Sequence, residues 1–233
     1  MTTLVQPKSM QVSVNGLDLR YLDWGNAGAT PVVCVHGYTS SAEAFNPLAR
    51  HFHDRFHIVA PDVRGHGESG RSPDGAYQYC DQVSDLAGLV DQLSLTRFVL
   101  IGTSMGGIIA MAYAEAHADR LRGLVINDIG PDVEGGSLRI TQMVGARPEE
   151  FATLEDAMAY RREISPVTAS RPISDQRELA RRASAATRRP VGLEDGPRVR
   201  PAARPARCAA TARIVARAQE PALPNHGGVG HGE

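Results

Sequence analysis

Leu100-Ile101-Gly102-Thr103-Ser104-Met105-Gly106-Gly107-Ile108-Ile109 decides how the rest of the chain is read. The apolar run from Phe98 to Ile101 predicts a short buried strand, and the apolar segment from Gly107 to His117 predicts a helix. Between them Gly102-x-Ser104-x-Gly106 has the spacing of a nucleophile elbow. A serine at such a strand-to-helix corner is forced into a tight backbone conformation that lifts its hydroxyl clear of the sheet. Glycine two positions to either side removes a Cβ that would strike the neighbouring strand or helix. The following helix aims its N-terminal amides at negative charge developing beside Ser104.

Outward from this stretch, apolar strands alternate with amphipathic helices. Gln11 to Tyr21 alternates apolar and polar residues around Asn15-Gly16, a hairpin signal. Val32–Val35 and Phe56–Ala60 read as strands, with a helix over Ala42–Phe52 between them. Tyr79–Leu93 places Val83, Leu86, Ala87, Val90 and Leu93 on one helical face, and Leu121–Ile126 reads as a further strand. Strands of this kind separated by helices predict an α/β architecture, a mostly parallel sheet flanked by helices on both faces. From Gly135 the strand pattern stops, and Glu149–Ile164 and Ser174–Ala186 read as helices. We therefore expect a core over residues 1–134 and a helical cap or lid over 135–186.

Composition sets the last part of the chain apart. Residues 1–180 carry 15 Lys/Arg against 22 Asp/Glu, whereas residues 181–233 carry 10 against 4. The latter hold 12 Ala, 6 Pro and 6 Gly, no aromatic residue and only seven Val, Leu or Ile. So little apolar surface cannot offset the entropy of ordering, and residues 187–233 are expected to form a poorly ordered tail. Ala, Arg, Pro and Gly share G/C-rich codons, so the tail reads as a frameshift product or a diverged end. Basic charge without Lys clusters or stacking aromatics does not make a nucleic-acid arm. No stretch of about 20 apolar residues suggests a membrane span, and no basic-then-apolar leader opens the chain. Three scattered cysteines, Cys34, Cys80 and Cys208, fit reduced thiols and a cytoplasmic location.

Four motifs in order carry a family resemblance: His36-Gly37-Tyr38-Thr39-Ser40-Ser41, Asp62-Val63-Arg64-Gly65-His66-Gly67-Glu68-Ser69, Gly102-Thr103-Ser104-Met105-Gly106-Gly107 and Asn127-Asp128-Ile129-Gly130-Pro131. On these, residues 1–186 resemble the α/β-hydrolase fold family at its ester-cleaving end. The resemblance implies Ser104 as nucleophile and an oxyanion hole formed by the backbone amides of Tyr38 and Met105. It implies a small-molecule acyl substrate and no cofactor or metal. His36 is expected to brace its turn, and Arg64 and His66 to be structural or rim residues. His51-x-His53 with His57 reads as a surface helix end, not a metal site.

A serine nucleophile needs a histidine base and an acid that fixes the base's tautomer. In the family the acid usually follows the seventh strand and the histidine the eighth, and neither strand is visible here, so the last strands are expected to be missing or degenerate. Asp128, after the sixth strand, is the candidate acid, against the plainer reading of a turn residue. His231, in Gly230-His231-Gly232, is the candidate base, ahead of His226, and Asp195 has no scaffold around it. The alternative to an active enzyme is an impaired homologue with an incomplete triad that at most binds a small ligand.

Overall fold

The computed structural model describes residues 5–130, 151–164, 169–177 and 180. Among the described residues six strands form one sheet in the order β1-β2-β4-β3-β5-β6. The strands β1 (Lys8–Val14) and β2 (Leu17–Asp23) form an antiparallel hairpin, with Val14 opposite Leu17. The turn residues Asn15 and Gly16 have φ of 52° and 77°, the positive values that a two-residue turn matched to the strand twist requires. β2 runs antiparallel to β4 (Phe56–Pro61). β3 (Thr30–Val35), β4, β5 (Phe98–Thr103) and β6 (Leu121–Asn127) are mutually parallel.

Parallel strands need crossovers, and each is a helix. The helix expected over Ala42–Phe52 divides into a 3₁₀ turn, Ala42–Phe45, and α1, Asn46–Phe52. Pro47 accounts for the division, because it lacks the amide that an uninterrupted helix would need and suits a helix's first turn. α2 (Tyr79–Gln92) starts at a capping box in which Gln78 and Asp81 satisfy each other's backbone amides. α3 (Met105–His117) begins two residues before the apolar segment anticipated it.

Alternation along β3 divides the core. Val33 and Val35 pack with Leu86, Val90, Leu100, Ile109 and Tyr113 on the α2–α3 face. Val32 and Cys34 pack with Trp24, Phe45, Ala49 and Ile58 on the α1 face. Both faces of the strand are therefore dry, which explains its uninterrupted apolar sequence. Because the four parallel strands share one direction, His36, Asp62, Ser104 and Asp128 all emerge at the same edge of the sheet.

Beyond Gly130 the described residues include α4 (Leu154–Ile164) and helical residues at 173–177 and 180. Ala157, Met158 and Ala180 form their own small apolar cluster with Phe151 and Leu154. The Arg50 guanidinium meets the Asp175 carboxylate at 2.6 Å. The remainder of the expected cap and all of the tail lie outside the described residues. Among the described residues no helix is long and apolar enough to cross a membrane. Cys34 is a buried free thiol, which burial pushes up to about 12.

Candidate active site

The corner between β5 and α3 is built by sterics. Ser104 has φ 52° and ψ −117°, a conformation that L residues rarely adopt and that surrounding structure must enforce. Its amide donates to Asn127 O at 2.9 Å, and its carbonyl accepts from Gly107 N and Ile108 N at 2.8 and 3.2 Å. A Cβ on Gly102 would lie 2.3 Å from Gly106 O, and one on Gly106 would lie 2.1 Å from Val35 O. Both glycines are therefore obligatory to the corner. Ser104 stands at the helix N-cap yet makes no side-chain cap hydrogen bond. Its hydroxyl is not spent on the cap, unlike that of a serine whose role is to cap a helix.

The loop after β3 lies against this corner. A Cβ on Gly37 would sit 3.3 Å from Ser104 Cβ and 3.9 Å from Ser104 Oγ. His36 is fully buried, with its Nδ1–H donating to Gly37 O at 2.8 Å and its Nε2 accepting from the Val63 amide at 3.0 Å. One nitrogen must donate and the other accept, so the ring is neutral and in a single tautomer. Burial, reinforced by the neighbouring His66 and opposed by Asp62, pushes its pKa down to about 4. His36 thus braces the loop, as expected, and is not placed as a base. Among the described residues, no turn or cap bond takes up the amides of Tyr38 and Met105. Met105 opens α3, where helix amides are unsatisfied and the dipole is positive.

The loop after β4 holds the β3 loop from behind. Asp62, fully buried, accepts from the Ala42 amide at 2.8 Å, from the Glu68 amide at 3.0 Å and from Arg20 Nη1 at 3.0 Å. The same Arg20 nitrogen lies 2.7 Å from Glu43 Oε1. A Cβ at Gly67 (φ 53°) would overlap the Asp62 carboxylate. Arg64 grips Asp85 on α2 with two nitrogens, each at 2.6 Å. His66 Nε2 lies 2.7 Å from Tyr38 O and its Nδ1 3.1 Å from Arg64 O. Arg64 and His66 therefore have the structural roles the sequence suggested. Sequence reasoning missed the Arg20–Glu43–Asp62 cluster; its one readable sign was the fixed spacing of Asp62 from Gly65 and Gly67.

Of the triad candidates, Asp128 lies among the described residues and emerges at the same edge of the sheet as Ser104. It follows β6 directly, one residue beyond the carbonyl that holds the Ser104 amide, with φ 58° and an exposed side chain. The next residue, Ile129, lies against α3, where a Cβ on Gly107 would meet it at 2.4 Å. His231, His226 and Asp195 lie outside the described residues. Among the described residues no imidazole is hydrogen-bonded to Ser104 Oγ. His51 packs edge-on against Phe52, and His57 Nε2 bonds Asp23 Oδ1 at 3.0 Å.

Comparison with known proteins agrees with this fold. A family model described as alpha/beta hydrolase fold matches residues 30–178. The chain is 33% identical over 181 residues to 3-hydroxybutyrate-oligomer hydrolase of Cupriavidus necator, covering 76% of this chain and 60% of that protein. It is 38% identical over 126 residues to the sn-1-specific diacylglycerol lipase ABHD11 of Mus musculus, covering 53% of this chain and 38% of that one. A crystal structure of an alpha/beta hydrolase from Novosphingobium aromaticivorans superposes with a TM-score of 0.67 at 32% identity. The superposition covers 76% of this chain and 64% of that one. The chain thus spans less than two thirds of the length of each.

Proposed function

The chain belongs to the α/β-hydrolase fold family, and on that premise we propose a serine hydrolase that cleaves a carboxylic ester or related small acyl substrate. Ser104 Oγ attacks the carbonyl carbon and its proton passes to a histidine base, for which His231 is the candidate. The amides of Tyr38 and Met105 take the oxyanion; each such donor lowers the barrier by roughly 3 kcal/mol. The alcohol leaves with the base's proton, and water then attacks the acyl-enzyme by the same route. Asp128 is the candidate acid that orients the base. Residues 135–186 would shape the acyl pocket as a cap. Two relatives whose names are those of a hydrolase and a lipase support an ester-type substrate. No cofactor is needed for these steps.

The observation that carries this reading is Ser104 at φ 52° with its hydroxyl outside any cap bond and the Gly37 backbone beside it. The test is labelling by a fluorophosphonate probe, with Ser104→Ala as the control. The wild-type chain should label and the variant should not; labelling that persists in Ser104→Ala removes the elbow from the mechanism.

A second reading, an impaired homologue that at most binds a small ligand, is favoured by one observation. Among the described residues nothing supplies a base to Ser104 Oγ. Loss of the base alone removes on the order of 10⁶ in kcat. Failure of the correctly folded wild-type chain to label selects this reading.

A further inference from the structure

Two histidines stand beside the loop after β3, their ring centroids 5.3 Å apart, and their surroundings call for opposite charge states. His36 faces one acceptor, Gly37 O, and one donor, the Val63 amide, so its ring is neutral. His66 faces two acceptors: Nε2 lies 2.7 Å from Tyr38 O, and Nδ1 lies 3.1 Å from Arg64 O. A neutral imidazole has one N–H and would set a bare lone pair against the second carbonyl. An imidazolium donates to both, and hydrogen bonds to the charged form hold the proton on the ring. The ring is aimed by its own backbone, whose amide donates to Val63 O at 2.8 Å and whose carbonyl accepts from the Ser69 amide at 3.0 Å.

We propose that His66 is a positioning residue for the oxyanion loop: held as an imidazolium, it clamps Tyr38 through its carbonyl while His36 holds the preceding peptide. This role rests on the oxyanion role proposed above for the Tyr38 amide. That amide belongs to the Gly37–Tyr38 peptide, whose carbonyl accepts from His36 Nδ1–H at 2.8 Å and from the Ser40 amide at 3.1 Å. The next peptide, Tyr38–Thr39, is held by His66 Nε2–H. Peptides are rigid planes, so tying both of those that meet at Tyr38 fixes its φ and ψ together. An oxyanion donor stabilises charge only if it does not have to reorganise. Charge on His66 also opposes charge on His36, one of the causes that push the His36 pKa down to about 4. Among the described residues the titratable and charged groups around His66 are His36 and Tyr38 on the β3 loop and Asp62 and Arg64 on the β4 loop, with Tyr79 of α2 beyond Tyr38. Burial pushes both phenols up, Asp62 is paired with Arg20, and Arg64 is paired with Asp85. Of this group, His66 is therefore the member that changes charge as pH rises through the neutral range.

Nitrogen-15 spectra of the full wild-type chain test this without any variant. At about pH 7, where an ordinary histidine is mostly neutral, both ring nitrogens of His66 should carry protons and His36 should carry one. As pH rises further the His66 ring should lose a proton, and the backbone amide resonance of Tyr38 should shift in step. A His66 ring that is neutral at about pH 7 overturns the proposal, as does a Tyr38 amide that does not follow the ring. The rate of fluorophosphonate labelling at Ser104 adds a chemical readout. In the wild-type chain it should decline on the alkaline side as the His66 proton leaves. His66→Gln, whose amide donates to one carbonyl and does not titrate, should label about tenfold more slowly at neutral pH and lose the alkaline decline. A histidine that merely supports the fold would lower the stability of the variant and leave the alkaline decline in place, which overturns the proposal. Circular dichroism establishes that His66→Gln folds; if it does not, the wild-type spectra decide alone. A wild-type chain that meets both spectral expectations yet fails to label keeps the clamp and rejects Ser104 as a working nucleophile, so the two failures are told apart.

Discussion

Two segments flank Ser104, and among the described residues they are held in different ways. On one side the segment from His36 to Ala42 is tied at nearly every turn: His36 to Gly37 and Val63, Ala42 to Asp62, and Tyr38 to His66. On the other, the segment opening at Asp128 leaves β6 as exposed backbone at positive φ, with Ile129 against α3 as its visible anchor. The first would carry an oxyanion donor, the second the acid. Oxyanion stabilisation depends on donors that do not reorganise, so a braced loop suits it. A triad is assembled from distant chain segments, and its members can be lost while the braced half persists.

The largest effect expected from this contrast falls at Asp128. If Asp128 orients the base, Asp128→Asn lowers ester turnover by about 10⁴-fold, through the wrong imidazole tautomer. Stability should move by less than about 0.5 kcal/mol, because Asn adopts positive φ as readily as Asp and the site is exposed. Steady-state kinetics beside urea unfolding separates the two quantities. Unchanged turnover would make Asp128 a turn residue and move the acid elsewhere in the chain.

On the braced side, the cost should appear as stability. Asp62→Ala takes one of two carboxylates from the Arg20 guanidinium, buried at 1% exposure and left with Glu43, and frees the amides of Ala42 and Glu68. Removing one member of a buried charge cluster costs about 3–5 kcal/mol. The urea midpoint should fall accordingly, and a shift of under about 1 kcal/mol would show the cluster to be incidental to the brace.

What the sequence showed of this site follows the range of the forces involved. Gly102, Ser104 and Gly106 were readable because their requirement is steric and spans five residues. Asn15-Gly16 was readable for the same reason, as a turn that needs two positive φ angles. The division of the Ala42–Phe52 helix depended on Pro47 and could be seen only once the first turn was placed. Arg20 and Asp62 are 42 positions apart, and nothing periodic links an arginine on a hairpin to an aspartate after β4. The base is least legible, because no strand pattern is readable in the sequence before the Gly-His motif at His231.

A smaller effect concerns pH. The neutral His36 ring is what bonds Val63, and its pKa is pushed down from an ordinary 6.5 to about 4. The unfolded chain therefore takes up the proton first as pH falls. The contribution of His36 to stability is complete above about pH 6.5 and is lost progressively down to about pH 4, by roughly 3 kcal/mol in total. Unfolding free energies measured across that window should slope upward with pH. In His36→Gln, which offers an acceptor to the Val63 amide without titrating, the slope should flatten. An unchanged slope would assign the acid sensitivity to other groups.

The smallest effect tests whether burial, and not charge pairing as such, makes the braced side strong. Arg120 and Asp91 meet at 2.5 Å, but their side chains are 22% and 64% exposed. At such a site water solvates both ions nearly as well apart as together, and ordering two side chains has its own entropic cost. Asp91→Asn removes the charge while Arg120 keeps its second bond, Nη2–H to Leu95 O at 3.1 Å. The loss should be under about 1 kcal/mol and should vanish in about 1 M salt, where screening acts over roughly 3 Å. Arg64 and Asp85, each only 6% exposed, should by the same reasoning hold their coupling in that salt. Double-mutant cycles on the two pairs at low and high salt make the comparison direct. Equal salt sensitivity would show that the loops around Ser104 are held by ordinary surface electrostatics, and the rigidity ascribed to the oxyanion side would lose its physical basis.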